Sequence, residues 1–302
     1  VEHLVIPSTV DSISNYAFYG CSALQQINIP QSIKSLADGV LSYSGIKTLD
    51  IPSSVNYIGE SAFSNCKSLQ SIKLPERLTL LNYNLFDGCE RLSDIQIPST
   101  VTAIEDCAFN GCKALQTITL PASLCTFENA SWSDISIFSG CSALKSILVE
   151  AGNKYYESDG TALYNKAKDT LVCFPAGVTS YVVPQSVKTI ARKAFCDCDS
   201  LQNIMFEDGV SDLVIEQYAF EYCKNINRLV ITSGIKETKY GAFNDAHINK
   251  LVITTTHPRS FYEYYLLRDN TIETIYAPAS DLSIIKNLKS STLIPLDAIY
   301  VA

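Results

Sequence analysis

Little in this chain of 302 residues is suited to solution chemistry. It has three histidines, one tryptophan and one methionine. The histidines, His3, His247 and His257, are scattered, and none sits beside a serine or cysteine in a nucleophile-elbow pattern. No P-loop, dinucleotide fingerprint, HExxH or EF-hand loop occurs. Basic residues are few, 23 against 31 acidic, which gives a formal net charge of −8. No Lys/Arg cluster interrupts that balance, so the electrostatic footprint of a nucleic-acid or anionic-lipid binder is missing. No apolar run approaches the roughly 18 residues of a membrane-spanning segment. No charged-then-apolar leader opens the chain: "VEHLVIP" begins inside a pattern that returns further on, so the chain reads as a trimmed piece. Acidic pairs such as Glu105-Asp106 and Asp197/Asp199 read as solvated turns. Catalysis and resident cofactors are therefore not expected.

Apolar residues, by contrast, are abundant at 47%, too many for a disordered chain. They are also written periodically. "IPSTVDSISNYAFYGC" (6–21) and "IPSTVTAIEDCAFNGC" (97–112) agree at ten of sixteen positions. Pro7, Pro30, Pro52, Pro75, Pro98 and Pro121 follow one another at intervals of 22 or 23 residues. Before each lies an apolar/polar alternation such as "INIP" or "IKLP", the signature of a strand with one face buried. The proline has no N–H for a ladder and closes the strand. The Ser/Thr that follow are expected to hold the turn by bonding nearby backbone. An Ala-Phe pair comes next, with a cysteine three residues on, as in Ala62-Phe63 with Cys66. Each phenylalanine should fill the far wall and stack on the next.

A period of 20–29 residues with one short strand each falls in the leucine-rich-repeat range. One such repeat cannot bury its own apolar positions, and stacked coils bury a continuous column. The expected fold is a right-handed leucine-rich-repeat solenoid over residues 1–302. It has a parallel sheet on one face and short strands with helical or 3-10 turns on the other. Residues 1–150 carry regular repeats with a longer arm at 125–136. Residues 151–178 hold "TALYN" and "TLVCF" around a polar "KAKD", which reads as a hairpin. Regular repeats return over 179–253, and 254–302 form an irregular last repeat and a C-terminal cap. There, aromatic "SFYEYYLL" and a helical-looking "ASDLSIIKNLK" stand out.

Seven of the eleven cysteines occupy one repeat position: Cys21, Cys66, Cys89, Cys112, Cys141, Cys198 and Cys223. Register explains their spacing, and a buried thiol there packs like a small hydrophobe that can weakly bond turn backbone. Cys107, Cys125, Cys173 and Cys196 fall outside this register, and the sequence leaves their pairing open. "CDCD" (196–199) invites a metal, but C-x-C without a nearby histidine is a weak metal-site spacing.

The consensus I-x-I-P-x-[ST]-[VI]-x-x-I-x-x-x-A-F-x-x-C-x-x-L resembles the BspA-like, Treponema-type class of leucine-rich repeats. "YYESDGTALYNKAKDTLVCFPAG" is similar to the hairpin-bearing unit of that class. "IETIYAPASDLSIIKNLK" is similar to its C-terminal cap, with Ala277-Pro278-Ala279 where a V-P-x-G form is usual. The resemblance implies a secreted or surface-displayed binding protein of host-associated bacteria. It brings no catalytic residue, cofactor or metal with it.

The strand face is the usual binding surface of a solenoid. Its outward positions just before the last inward residue run Val5, Asn28, Asp50, Lys73, Gln96, Thr119, then Leu148, Val182, Met205, Val230, Val252 and Tyr276. After Val5 the first half is polar, and the second half is wholly apolar. The stripe Leu148, Val182, Met205, Val230, Val252 and Tyr276 is the candidate protein-binding surface, rimmed by Ser146, Ser180, Asn203, Arg228, Lys250 and Thr274. Two other readings stay open: sheet-forming residues covered by polar neighbours, or a stripe covered by the hairpin or the tail. Trp132 in the long arm is a candidate loop anchor or a plug beneath it. Together these readings predict an adhesin recognising host protein or glycan, extracellular matrix included, with self-association through the stripe as a further possibility. The alternative is an intracellular or periplasmic interaction scaffold, or a spacer displaying another domain.

Overall fold

The structure is a computed structural model that describes residues 1–128, 137–254, 271–278 and 299–301. The chain divides into two compact units, Val1–Thr161 and Ala162–Ala302. In the first unit the strand face consists of His3–Val5, Gln26–Asn28, Thr48–Asp50, Ser71–Lys73, Asp94–Ile95, Thr117–Leu120 and Ser146–Val149. All its pairings are parallel, one coil apart: His3 beside Gln26, Thr48 beside Ser71, Ser71 beside Asp94 and Thr117 beside Ser146. The alternation works as the sequence predicts, with Ile27 buried between exposed Gln26 and Asn28, and Leu49 between Thr48 and Asp50.

After each strand the proline carbonyl accepts the N–H three residues on: Val55 to Pro52, Leu78 to Pro75 and Val101 to Pro98. The hydroxyls that follow behave differently from expectation. Ser54 donates to the Ile33 carbonyl at 2.7 Å, Thr100 to Leu78 at 2.6 Å and Ser123 to Val101 at 2.6 Å. They reach back one full coil instead of bonding their own turn, so they tie neighbouring repeats together. A second row of short parallel strands follows, with Ser35–Leu36 beside Tyr57–Ile58 and Leu80–Leu81 beside Ala103–Glu105 beside Thr126–Glu128.

The third side carries the Ala-Phe segments. Helical turns were expected there, but among the described residues no helix forms. Alternate N–H groups leave their own turn and bond the next coil, Tyr16 to Asp38, Phe18 to Val40 and Gly20 to Ser42, at 2.8–2.9 Å. The residues between them close the turn locally, as in Tyr19 to Tyr16 at 3.0 Å. The geometry needs a left-handed residue on each side of the pair. Gly88, Gly111 and Gly140 supply one, as do Asn65 and Asn84, all with φ between 55° and 68°. Tyrosine is the unusual choice, at Tyr16, Tyr43, Tyr218 and Tyr222. Two of these tyrosines gain a contact in compensation. A Cβ added to Gly39 would lie 2.2 Å from the Tyr16 ring, and one added to Gly241 would lie 2.7 Å from the Tyr218 ring. Each ring packs against the glycine of the next coil, where a side chain would not fit.

Inside, the phenylalanines stack as expected. Phe63, Phe86, Phe109 and Phe138 follow at centroid separations of 5.5–5.7 Å with interplanar angles of 11–24°. The thiols run beside them as free cysteines. Cys66 donates to the Leu41 carbonyl at 3.0 Å, Cys89 to Phe63 at 3.1 Å and Cys141 to Phe109 at 3.0 Å. Burial pushes the Cys66 thiol up to about 11 and those of Cys89, Cys112, Cys198 and Cys223 well above the ordinary value. Thiolates are the reactive form. Alkylation of the native chain with iodoacetamide at pH 8 should therefore modify exposed Cys21 and Cys125 and leave this column intact until denaturant is added. Mass spectrometry showing modified Cys89 or Cys112 without denaturant would contradict the packing.

The second unit starts on the predicted hairpin, Leu163–Asn165 antiparallel to Thr170–Cys173. Asn165 holds its turn, its side-chain oxygen accepting the N–H groups of Asp169 at 3.2 Å and Thr170 at 3.1 Å. Thr170–Cys173 then pairs in parallel with Thr189–Ile190, followed by Leu213–Ile215 and Ile235–Thr238. The strand face is a continuous parallel sheet of Ser180–Val183, Asn203–Phe206, Ile226–Ile231, His247–Ile253, Thr271–Tyr276 and Ile299–Val301. Phe174, Phe195, Phe220 and Phe243 stack at 4.5–4.9 Å. Phe174 belongs to no Ala-Phe pair; the hairpin supplies it to start the column.

Candidate binding surface

The strand face of the second unit places five of the predicted stripe residues in adjoining strands. Val182 pairs with Met205, Val230 with Val252, and Val252 with Tyr276. Asn203 lies beside Arg228, and that offset carries Met205 to Val230. Val182 is 43% and Met205 48% exposed, high values for large apolar side chains on a sheet. Val230, Val252 and Tyr276 are half-buried. The rim residues Ser180, Asn203, Arg228, Lys250 and Thr274 form the adjoining row in the same register. Leu148 belongs to the first unit, where it lies beside Thr119 and is 37% exposed. Trp132 lies outside the described residues, as do "SFYEYYLL" and the whole of "ASDLSIIKNLK".

Two features of this surface escape a reading of alternation. First, the strands lengthen, from four residues in Asn203–Phe206 to six, seven and six in the next three. In "INRLVI" both Asn227 and Arg228 face outward between buried Ile226 and Leu229. The Asn249 amide donates to the Asn227 side-chain oxygen at 3.3 Å, which adds a polar third row. Second, the Lys250 ammonium sits 4.1 Å from the centroid of the Tyr276 ring and covers part of it.

In the first unit the same positions from Asn28 to Thr119 are polar, and the sheet is interrupted. Its ladder stops at Ile72–Ile95 and resumes at Thr117–Ser146. A shallow depression of about 630 Å³ opens there, lined by Asp50, Lys73, Asp94, Gln96, Thr119 and Glu150 among others. Glu150 is already occupied, accepting the Ala122 N–H at 3.0 Å.

The histidines hold strand ends. His3 Nδ1 is 2.9 Å from the Gln26 side-chain oxygen, and His247 lies 2.7 Å from the Thr271 hydroxyl and 3.4 Å from the Glu273 carboxylate. His257 lies outside the described residues. Cys196 is a buried free thiol 3.8 Å from the Asp197 carboxylate. Burial, with Asp197 and Glu221 nearby, pushes its pKa far up, the opposite of what a thiolate ligand needs. Among the described residues no group of three His, Cys, Asp or Glu side chains is placed to hold a metal ion. No helix among them is long and apolar enough to cross a membrane.

The sequence pattern of the BspA-type leucine-rich-repeat region, in six copies, matches residues 1–116, 79–180 and 175–292. This chain belongs to the BspA-type leucine-rich-repeat family. Several solved leucine-rich-repeat structures superpose along most of its length. A leucine-rich cell surface protein of Faecalibacterium prausnitzii shares 25% identity over 94% of this chain and 82% of its own, with a TM-score of 0.59. The pneumococcal vaccine antigen PcpA shares 17% identity over 100% of this chain and 79% of its own, with a TM-score of 0.54. A leucine-rich-repeat protein of Bacteroides ovatus shares 21% identity over 100% and 84%, with a TM-score of 0.50. No curated protein matches the chain. Proteins built of BspA-type and other leucine-rich repeats are protein-binding scaffolds and typically carry no catalytic site, and the surface above fits that use.

Proposed function

We propose that this chain is a non-enzymatic binding module, secreted or displayed at a bacterial cell surface, that recognises host protein or glycan through its strand face. The observation that carries the reading is the row Val182, Met205, Val230, Val252 and Tyr276, apolar and partly open to solvent on the face where a solenoid engages partners. The F. prausnitzii relative, a leucine-rich cell surface protein, supports the location. The buried free thiols of Cys66, Cys89, Cys112, Cys141, Cys198 and Cys223 favour a second reading, an interaction scaffold in a reducing compartment.

Binding of the purified chain to arrayed matrix proteins and glycans tests the site. Each stripe side chain buried in a complex is worth about 1.5 kcal/mol or more, roughly tenfold in affinity. The combined Val182→Ser, Met205→Ser and Val230→Ser variant should therefore lose at least about a hundredfold. Unchanged binding and unchanged oligomeric state in that variant would remove the stripe as the site. A chain that binds nothing on the array would point to the scaffold or spacer role.

A further inference from the structure

The lengthened strands of the second unit bring two cations together beside the apolar row. Arg228 and Lys250 are direct partners on neighbouring parallel strands, and both side chains face outward. Like charges held side by side repel each other. A carboxylate between them would relieve this, yet among the described residues neither cation has an ion-pair partner. Lys250 has only the face of Tyr276. Glu273, on the strand next to Lys250, lies 3.4 Å from His247 instead. In a chain of net charge −8, an unneutralised pair of cations at this spot is against the trend.

We propose that the strand face of the second unit binds an extended protein segment that carries carboxylates next to bulky apolar side chains. This rests on the strand-face reading above and adds the chemistry of the partner. The carboxylates would sit over Arg228 and Lys250, and the apolar side chains would cover Met205, Val230 and Val252 one row away. Complementary charge at the edge of an apolar contact fixes orientation and speeds encounter. An anionic polysaccharide would satisfy the cations but would leave the apolar row exposed to water, so a protein segment fits better.

The test is fluorescence anisotropy of the whole chain with three probes: a labelled peptide alternating glutamate and leucine, its glutamine counterpart, and a heparin oligosaccharide. The glutamate peptide should bind at least tenfold more tightly than the glutamine peptide, and added salt should weaken it. The Arg228→Gln, Lys250→Gln double variant should lose about tenfold for the glutamate peptide and nothing for the glutamine one. Circular dichroism should show both variants folded, since the side chains are solvent-facing. Equal binding of the two peptides, or an unchanged double variant, overturns the acidic partner. If the Val182/Met205/Val230 serine variant still loses binding in that case, the strand face survives as the site; if neither variant matters, both readings fall. Heparin binding that depends on Arg228 and Lys250, without peptide binding, overturns the protein partner in favour of a glycan. Absence of peptide binding up to millimolar concentration also overturns it.

Discussion

Phe220→Ala is expected to destabilise the chain by about 3–5 kcal/mol. The ring is fully buried and sandwiched, 4.5 Å from Phe195 at 14° and 4.9 Å from Phe243 at 5°. Three losses combine. The apolar area leaves a dry site, two aromatic contacts of about 0.5–1.5 kcal/mol each disappear, and the coil cannot close over the void. It cannot close because its backbone is fixed above and below: Phe195 N–H donates to Ala219 and Phe220 N–H to Ala242, each at 2.7 Å. Phe18, half-buried in the first described coil, makes a natural control, and Phe18→Ala should cost much less. Urea unfolding followed by circular dichroism measures both. A loss below about 1.5 kcal/mol at Phe220 would mean that the column is not close-packed.

Alkaline pH should unfold the chain through its thiols. Cys66 has its pKa raised to about 11 by burial, against an ordinary value of 9.0. The folded state thus keeps a proton that the unfolded state gives up. Below about pH 9 both states are protonated and the contribution is fully present. Between pH 9 and 11 the unfolded chain binds fewer protons, so stability falls as pH rises, and above the folded value the loss is complete. Two pKa units amount to about 2–3 kcal/mol from this one group. Cys89, Cys112, Cys198 and Cys223 are shifted the same way by the same cause and add to the fall. Tyrosines titrate in this window too, so Cys66→Ala isolates the thiol: its stability should decline less steeply between pH 9 and 11 than that of the parent. Parallel declines would show that the thiol contributes nothing.

Much of this was legible in the sequence because every coil repeats the same burial problem. The Ala-Phe register gave the stacked column, the cysteine register gave thiols bonded to turn carbonyls, and five of the six stripe residues fell on adjoining strands. What was not legible depends on neighbours one coil away. Ser54 and Thr100 look like local turn residues, yet their hydroxyls find a better acceptor in the preceding coil. Phe174 lacks its alanine and enters the column only because the hairpin ends there. Asn227-Arg228 breaks the two-residue alternation, so the sequence shows a short "LVI" strand where a six-residue one forms. The break between Ile95 and Thr117 likewise has no mark in either strand alone.

The ties that join coils have a consequence for how such a chain changes length. Ser54 to Ile33, Phe63 N–H to Leu85 and Cys89 to Phe63 each bridge nearest neighbours at the same relative positions. A gene segment running from one proline to the next therefore encodes a part whose upper and lower faces are interchangeable. Duplicating or deleting such a segment leaves the backbone ties of the remaining coils with partners of the same kind, whereas an insertion of a few residues does not. Selection can thus alter the reach of the protein in whole steps without redesigning its interior.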